Sequence, residues 1–543
     1  MSGVLEALDR HVSILPILLP LVASATMLLL HERRRRTKAV IGSLTLAAML
    51  AAAVRLLAVV ADPSTPEIVV YRLADWGAPY GIVLVADRLS VLMVIVTVLL
   101  GAAGLTYALA RWATLGPRFH SLYLLLLMGL CGAFLTGDLF NLYVFFEVLL
   151  AASYGLALHG SGKRRVKAGL HYVAINLATS VVFLVGVSLV YAVTGTLNMA
   201  DLAVKAGQLG PDDLVLLKAG LSVLGVAFLV KSGAWPLAFW LPTTYSAAAA
   251  PVAAIFAVMT KVGVYVILRL AALLWPGGEA LAFFGSSWLL YVGLATVLFG
   301  TFGVLASSEL PRMAGYLTMI SSGTLLAVIA SGEPVVLSSA LYYLIGSTIG
   351  IGVIFLLCEL VNRRDGEAAQ VVGPVFHDDF ETQLRNEFEG VELGVTLPLA
   401  TTLLAAAFFF VALQLVGLPP LSGFIAKFGM LAAVVEAGTG GYANAPAGAA
   451  WWVVGVIVFS GFCVLVALMR KGVSVFWAEP SATTRVVRPL EAVPVAFLIA
   501  MLVALTVLAR PTLRYTAAAS AGLEARASYL SGVLQAPEGE QEP

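Results

Sequence analysis

Residues 228–242 read FLVKSGAWPLAFWLP, an apolar stretch of the kind that crosses a membrane, interrupted by Lys231, a glycine and two prolines. Proline inside a helix removes a backbone hydrogen bond and breaks the turn. Residues 416–428, VGLPPLSGFIAKF, repeat this composition ahead of Lys427. Interrupted helices in corresponding halves of a membrane protein indicate an ion site at mid-membrane. We therefore predict two broken membrane helices. The residues that mark the breaks are Gly233, Pro236, Pro419 and Pro420.

The composition of the whole chain excludes an ordinary soluble protein. Of its 543 residues, 60% are apolar and 12% are charged, whereas a soluble domain has about a quarter charged residues. The 32 basic and 31 acidic residues leave a net charge of +1, so nucleic acid is not an expected partner. Three cysteines far apart in apolar runs and six histidines indicate neither a disulfide framework nor a metal or redox centre. We expect a membrane protein without a cofactor.

Apolar runs of the length that crosses a bilayer, about 20 residues, recur along the chain. They are continuously apolar, without the alternation that a membrane β-barrel requires. We predict an all-α polytopic membrane protein of about fourteen transmembrane helices, the seventh and twelfth of them broken. The predicted helices span residues 12–30, 39–61, 82–110, 120–136, 138–159, 169–195, 213–233, 243–273, 285–306, 312–331, 337–361, 398–436, 451–469 and 492–510.

The spacing of the broken helices predicts the domain organisation. They lie five spans apart, which suggests two inverted five-helix repeats. We divide the chain into 1–119 with helices one to three, 120–275 as the first repeat, 276–475 as the second repeat, and 476–543 with the last helix and a disordered tail. The second repeat includes an acidic cytoplasmic loop at 363–396, whose apolar residues recur at helical spacing. This loop is either a solvated connector or a docking surface for a neighbouring protein.

Loop charge predicts the orientation in the membrane, because Lys and Arg are in excess in cytoplasmic loops. The basic loops all fall on one side of the predicted helices; they are 31–38, 111–118, 161–167, the start of 363–396, and 470–488. The loops 274–284 and 437–450, on the opposite side, contain no basic residue. We therefore expect both termini on the outer side of a bacterial cytoplasmic membrane.

Four charged residues lie deep in the predicted helices: Glu147, Lys231, Lys261 and Lys427. An ionised side chain at the bilayer centre costs about 2.5 to 3.5 kcal/mol, so the set would lose on the order of 10 kcal/mol facing lipid. We expect them inside the bundle, paired or hydrated. Because a low-dielectric surrounding disfavours the charged form, a buried lysine can exchange its proton, and a nearby glutamate can control that exchange. The set predicts a proton path; the alternative is a static ion pair and two hydrogen-bonded lysines.

Charges near helix ends have a simpler explanation. Asp87 and Asp138 each open a predicted helix, where a carboxylate stabilises the helix dipole. Ion uptake is the alternative role, and Asp138 is the candidate for cation uptake. Arg269 lies within about two turns of a helix end, from which its long side chain is expected to extend to the interface.

Three segments resemble the antiporter-like subunits shared by Mrp-type multisubunit Na⁺/H⁺ antiporters and the proton-pumping arm of respiratory complex I. They are GDLFNLYVFFEVLLAASYGL at 137–156, FLVKSGAWPLAFWLPTTYSAAAAPVAAIFAVMTKVGVYVILR at 228–269, and GLPPLSGFIAKF at 417–428. The resemblance extends from about residue 80 to 480. The sequences NLYVFFE, HYVAINLATS, GTLNMADL and FWAEP are most similar to the D subunit of the Mrp antiporter.

The resemblance implies that Glu147 and Lys231 form an ion pair whose opening gates protonation, that Lys261 is the central relay, and that Lys427 exchanges protons with the far side. Family members often carry a histidine in the tenth or eleventh helix, but this chain has none there, and Gly346 stands at the expected place. Hydroxyl groups remain as candidates for holding water along the path. They are Tyr316, Thr318, Ser321, Ser322, Tyr342 and Tyr343.

From this resemblance we expect a transporter subunit rather than an enzyme. It would exchange protons for a monovalent cation, with Na⁺ as the expected ion, driven by the proton motive force. Its partners would be the lipid bilayer and the other membrane subunits of a hetero-oligomeric antiporter. The alternative is a proton-pumping subunit of a redox complex such as complex I or a membrane hydrogenase. A polyprenyl-linked transferase is disfavoured because the loops lack a cluster of carboxylates or histidines.

Overall fold

The computed structural model describes residues 11–62, 67–277, 281–362, 399–438, 448–477 and 487–535. These residues form nineteen α-helices and one short β-hairpin. The acidic loop predicted at 363–396 lies outside the described residues, so its amphipathic helix stays a prediction.

The helices are α1 Leu15–Leu29, α2 Arg35–Ala61, α3 Arg88–Leu109, α4 Phe119–Leu135, α5 Leu139–Ala157, α6 Lys163–Thr194, α7 Met199–Ala206, α8 Pro211–Ser232, α9 Trp240–Ala247, α10 Ala250–Leu274, α11 Ser286–Ala306, α12 Leu310–Ile329, α13 Pro334–Asn362, α14 Leu399–Val416, α15 Ser422–Ala437, α16 Ala449–Phe476, α17 Pro489–Val507, α18 Ala509–Glu524 and α19 Arg526–Leu534. The antiparallel hairpin pairs β1 Val69–Arg72 with β2 Val83–Ala86 and lies between α2 and α3.

Most of these helices have the length and composition of membrane spans. Among the described residues, twelve helices are long and apolar enough to cross a bilayer, and α1 and α4 are apolar but shorter. The predicted twelfth helix is divided into α14 and α15 by a turn. The chain is therefore a multi-pass helical membrane protein, while the exact number of spans and the two inverted repeats stay predictions.

Helices α10 and α13 form the centre of the bundle. In the most apolar window of each, 94% of the residues are buried, against 39% in α2, α8 and α16. Close approach of the neighbouring helices depends on small residues, as is usual in membrane bundles. A Cβ atom at Gly323 of α12 would lie 2.8 Å from the carbonyl oxygen of Gly293 in α11. Helices α11 and α12 therefore pack in close contact beside the central helices, of which α10 carries Lys261.

The predicted third helix begins later than the apolar run. Residues 83–86, VLVA, pair with β1 instead, and α3 starts at Arg88. Asp87 caps this helix, because its carboxylate accepts from the Ser90 amide at 2.8 Å and the Ser90 hydroxyl accepts from the Asp87 amide at 2.8 Å. Such a reciprocal cap satisfies two amides that the first turn leaves unpaired.

Asp87 also forms a buried ion pair with Arg269 of α10. The guanidinium donates to the two carboxylate oxygens at 2.5 and 2.8 Å, and Arg269 is only 3% exposed. The ring of Tyr529 in α19 lies 5.3 Å from the guanidinium carbon. The prediction that Arg269 extends to the interface is wrong, since a partner 182 positions away holds its side chain inside.

The C-terminal segment is helical where a disordered tail is predicted. Helix α18 buries Thr516, Ala519, Ser520 and Leu523, which recur at the spacing of one helix face. Tyr515 donates to the Arg88 carbonyl at 2.8 Å. The prediction of disorder is therefore wrong for residues 511–534, because this amphipathic face packs against the bundle; residues 536–543 lie outside the described part.

The basic loops gather at one end of the bundle. Arg488 donates to the Ala110 carbonyl at 2.6 Å, and the Arg165 guanidinium lies 4.8 Å from the centre of the Trp112 ring. Within the loop before α2, burial alone would raise the pKa of the Glu32 carboxyl, but the hydrogen bond from Lys38 and the charge of Arg118 hold it below its ordinary value. The C-terminal helices lie at the opposite end, where Arg526 donates to the Ala203 carbonyl.

Candidate functional site

Two helices of the bundle end in the same way inside the membrane region. Helix α8 is followed by Gly233 with φ 72°, and α14 by Gly417 with φ 86°. In each case the amide after the glycine donates to the carbonyl five positions back, at 3.0 and 3.1 Å. This left-handed closing motif is one that glycine adopts without strain. The turns that follow contain Pro236, Pro419 and Pro420 and leave carbonyls of the last helical turn without helical donors.

Lys231 lies in the last turn of α8 and is 6% exposed. Its ammonium donates to the amide oxygen of Asn176 in α6 at 3.0 Å, and it lies 5.6 Å from the centre of the Phe146 ring. A Cβ atom at Gly263 of α10 would lie 2.6 Å from the Phe228 carbonyl oxygen, so α8 and α10 cross in contact near this lysine. Lys231 is therefore held at the crossing of three helices.

Glu147 lies on α5, directly after Phe146, and is half-buried. In the part of the chain that the structure describes, its Oε1 atom is buried and has no hydrogen-bond partner. The Lys231 ammonium donates to Asn176 and not to this carboxylate. The ion pair that the resemblance implies is thus open in this conformation, and Phe146, whose ring faces the Lys231 ammonium, is the residue next to Glu147 on α5.

Lys261 is completely buried in the middle of α10. Its ammonium donates to the hydroxyl of Ser321 at 2.9 Å and to that of Ser322 at 3.1 Å, both in α12. Ser321 in turn donates to the hydroxyl of Ser347 in α13 at 2.9 Å. An ammonium in this environment costs free energy, because its partners are neutral hydroxyls rather than a carboxylate. A group of this kind can release a proton into a hydroxyl chain.

Lys427 lies on α15, after the break, and is half-buried. Its ammonium donates to the carbonyl oxygens of Leu415 at 3.0 Å and Val416 at 2.8 Å, in the last turn of α14. Carbonyls at a helix C-terminus carry a partial negative charge that favours a cation. The break at Gly417 therefore creates the acceptor site that holds this lysine.

The hydroxyl residues predicted as a water-holding relay divide into two groups. Ser321 and Ser322 contact the Lys261 ammonium, and Tyr343 lines a small cavity beside Ser347. Two others are engaged elsewhere: Tyr316 packs near Phe299, and Thr318 donates to the Ala314 carbonyl. Tyr342 donates to the Leu505 carbonyl, and its hydroxyl also lies within hydrogen-bond reach of Ser422.

Several polar residues at the site are missed by the sequence analysis. They are Asn176, Ser347, Gln414 and Ser422, which contact a predicted lysine or the space between two of them. Gln414 could have been recognised from the sequence, since it is a single side-chain amide near the end of the apolar run LAAAFFFVALQLV. Ser347 and Ser422 could not have been recognised in this way, because serine is common in membrane helices and its hydroxyl often hydrogen-bonds to the backbone of its own helix.

Asp138 is the N-cap of α5, where its carboxylate accepts from the Asn141 amide at 2.8 Å. Burial raises the pKa of the Asp138 carboxyl above its ordinary value, although the amides of Asn141 and Phe140 oppose that change. The hydrogen bond from the Asn141 amide gives Asp138 a structural role as the cap of α5. Its use as a site of cation uptake stays a prediction. Within the described ranges, no three His, Cys, Asp or Glu residues gather as metal ligands.

The fold and site together define a class of protein. A multi-pass helical bundle holds a carboxylate and three ammonium groups in its interior, beside two broken helices and a chain of hydroxyls. Intramembrane ionisable groups on broken helices are characteristic of ion and proton transporters.

Comparison with known proteins narrows this class. Residues 136–445 match the family described as NADH:quinone oxidoreductase/Mrp antiporter, TM. The chain is 47% identical over 532 residues to a protein of Rhizobium meliloti (strain 1021) named as the D subunit of a probable K⁺/H⁺ antiporter, covering 97% of this chain and 98% of that protein. It is 32% identical over 541 residues to the D subunit of the Na⁺/H⁺ antiporter of Alkalihalophilus pseudofirmus, covering 97% and 100%.

The fold is similar to that of a chain in the Mrp complex from Dietzia sp. DQ12-45-1b, with a TM-score of 0.79, 25% identity and coverage of 97% and 100%. The chain therefore belongs to the NADH:quinone oxidoreductase/Mrp antiporter family of membrane subunits. Within it, the similarity to antiporter D subunits extends over nearly the whole length.

Proposed function

We propose that this chain is the proton-translocating subunit of a multisubunit monovalent cation/proton antiporter. The observation that carries the proposal is the fully buried Lys261 ammonium, which donates to two serine hydroxyls and leads through one of them to Ser347. The relatives named as antiporter D subunits support the same function. The other membrane subunits of such a complex are the proposed partners, as in the Mrp complex of similar fold.

In this proposal, Glu147 and Lys231 gate the path. Moving the Lys231 ammonium from Asn176 to the Glu147 carboxylate would stabilise its charged form, because an opposite charge favours ionisation. Returning it to the neutral amide, as in the conformation described above, would favour proton release toward the centre of the bundle. Lys261 then relays the proton through Ser321, and Lys427 exchanges it with the far side.

The exchanged cation is K⁺ or Na⁺. Sodium is the expectation from sequence and the ion in the name of the relative at 32% identity, whereas the relative at 47% identity is named for potassium. Measuring proton exchange with Na⁺ and with K⁺ in the same vesicle preparation identifies which cation is exchanged. Asp138 is the proposed uptake residue.

We also propose an orientation with both termini on the outer side of a bacterial cytoplasmic membrane. It is supported by the contacts among basic loops at one end of the bundle, since Lys and Arg are retained on the cytoplasmic side. Labelling of single cysteines in intact cells tests this. Lys163→Cys and Pro489→Cys, next to that end, should react only after the membrane is opened.

The test of function uses the complete complex in vesicles, with cation-driven proton movement measured by a pH-sensitive dye. Glu147→Gln, Lys231→Ala and Lys261→Ala should each abolish exchange without loss of the partner subunits on purification. Lys218→Ala is the matched control, since Lys218 lies on the same helix as Lys231 but contacts the ring of Phe284. Normal exchange in the Lys261 and Lys231 variants would contradict the proposal.

The alternative function is a proton-pumping subunit of a redox complex, which the family description also includes. It predicts that iron-sulfur or quinone-binding proteins co-purify with this chain, whereas the antiporter predicts only further membrane subunits. Identification of the co-purified proteins by mass spectrometry separates the two.

A further inference from the structure

A small cavity lies between α13, α14 and α15, beside the hydroxyl chain of Lys261. Polar and apolar groups both line it, and about 10 Å³ of it is open to the centre of a water molecule, which is about the space that one water needs. The lining residues on which the argument depends are Tyr343, Gly346, Ser347, Gln414, Ser422 and Gly423.

One wall of the cavity connects to Lys261. Ser347 lies in this wall and accepts from Ser321 at 2.9 Å, and Ser321 accepts from the Lys261 ammonium at 2.9 Å. Ser347 itself donates to its own helix, to the Leu344 carbonyl, at the long distance of 3.3 Å. Turning the Ser347 hydroxyl toward the cavity therefore breaks only this weak hydrogen bond.

The opposite wall is held in position by Gln414. Its Oε1 accepts from the amide of Gly423 at 3.1 Å, and its Nε2 donates to the hydroxyl of Ser422 at 2.6 Å. The Gly423 amide can only donate, so it fixes which end of the side-chain amide is the oxygen. Ser422 accepts from Nε2, so its own hydroxyl hydrogen can be donated, with the hydroxyl of Tyr342 also within hydrogen-bond reach.

Gly346 keeps the space between the two walls open. A Cβ atom there would lie 3.3 Å from Gln414 Nε2 and 3.8 Å from Ser422 Oγ. Even a methyl group would therefore take up much of the space that one water requires. The cavity has the polar partners and the size of a structural water site, which needs about two to four hydrogen bonds.

We propose that this cavity binds a water molecule that joins Ser347 to Ser422, and that Gln414 is the residue that positions Ser422 for this contact. The proposal rests on the function proposed above and specifies how the proton leaves Lys261. The ammonium gives a proton to Ser321, which passes its own to Ser347; Ser347 passes its own to the water, and the water passes one to Ser422. Ser422 passes its own proton to Lys427 on the broken helix, which accepts it in the neutral amine form and becomes the ammonium. Every oxygen thus gains one proton and loses one, so no charge remains on the chain of hydroxyls.

The position of the second wall explains how the path reaches Lys427. Gln414 directly precedes Leu415 and Val416, whose carbonyls hold the Lys427 ammonium. Ser422 opens α15, the helix that carries this lysine. The water site thus lies at the contact between the centre of the bundle and the broken helix.

The test compares variants of Gly346 in the complete complex, with cation-driven proton movement in vesicles as the assay. Gly346→Ala should lower the exchange rate by about tenfold or more, because a relay group typically contributes about 10²- to 10⁴-fold. Gly346→Ser should restore much of the lost exchange rate, because it places a hydroxyl where the water binds. Gly455→Ala is the control: it adds a Cβ to α16, where nothing lies within 4 Å, so it should leave the exchange rate unchanged.

Gln414→Met, which keeps the length of the side chain but not its hydrogen bonds, is the second variant and should lower the rate and shift its pH profile. If Gly346→Ala does not assemble with its partners, Gln414→Met provides the same test. Equal rates for the alanine and serine variants at Gly346, or an unchanged rate and pH profile for Gln414→Met, would overturn the inference. Lys261→Ala, measured in parallel, distinguishes the two proposals: normal exchange in that variant would refute the proposed function itself.

Discussion

Removing one partner of the ion pair between Asp87 and Arg269 should destabilise the protein more than breaking any surface pair of this chain that the structure describes. We predict that Asp87→Asn destabilises the protein by about 3 to 5 kcal/mol, the usual cost of leaving one member of a buried pair unpaired. Two hydrogen bonds at 2.5 and 2.8 Å are affected, and the guanidinium that remains is only 3% exposed. Asparagine still caps a helix, so the loss measures the ion pair and not the start of α3.

The neighbouring pair provides the control. Arg88 and Glu67 lie 3.2 Å apart at the surface, with the Glu67 side chain 50% exposed. Exposed pairs contribute about 0.2 to 1 kcal/mol, so Glu67→Gln should have a small effect. The assay is the midpoint of thermal unfolding of the purified complex in detergent, followed by size-exclusion chromatography of heated samples.

A double variant completes the experiment. Replacing both Asp87 and Arg269 by neutral amides removes the charge together with its partner, so part of the lost stability should return. The reasoning would be refuted if Asp87→Asn shifted the midpoint no further than Glu67→Gln, or if the double variant were as unstable as the sum of the two single variants.

Three further predictions concern the site. Gly423→Ala should reduce the yield of assembled protein, because the added Cβ would lie 1.9 Å from the Gln414 carbonyl oxygen, whereas Gly455→Ala, in open space, should be neutral in the same purification. Lys427→Met should abolish exchange in vesicles while the variant assembles normally; retained exchange would exclude this lysine from the path. Since burial raises the pKa of Asp138, protons should compete with the cation at this carboxylate, so the KM for the cation should rise as the pH falls, and Asp138→Asn should remove that dependence.

The charged part of the site could be predicted from the sequence because such residues are rare in membrane helices. Glu147, Lys231, Lys261 and Lys427 are recognisable from depth alone, since an ionised group in the bilayer is costly wherever its partners lie. The helix breaks were equally visible, because glycine and proline change the backbone locally.

The ion-pair and hydrogen-bond partners of the charged residues could not be predicted, because they depend on packing between segments far apart in the sequence. Arg269 and Asp87 each lie near a helix end, and nothing in their local sequence indicates that residues 182 positions apart pair. The same holds for Asn176, whose amide oxygen accepts from the Lys231 ammonium where the carboxylate of Glu147 was expected. The helical C-terminal segment did have a signal, the spacing of Thr516, Ala519, Ser520 and Leu523, but its small and polar residues resemble those of a disordered tail.

Between the Lys261 ammonium and the cavity, the proposed path consists of two hydroxyls, those of Ser321 and Ser347. An imidazole can hold a proton as a stable cation near neutral pH, so a histidine divides a long transfer into two steps with a resting state between them. A serine hydroxyl has no such protonated state. The proton must therefore cross from Lys261 in a single concerted rearrangement of several O–H bonds. We expect a large solvent isotope effect, so exchange should slow steeply in D₂O; a small isotope effect would contradict a concerted transfer.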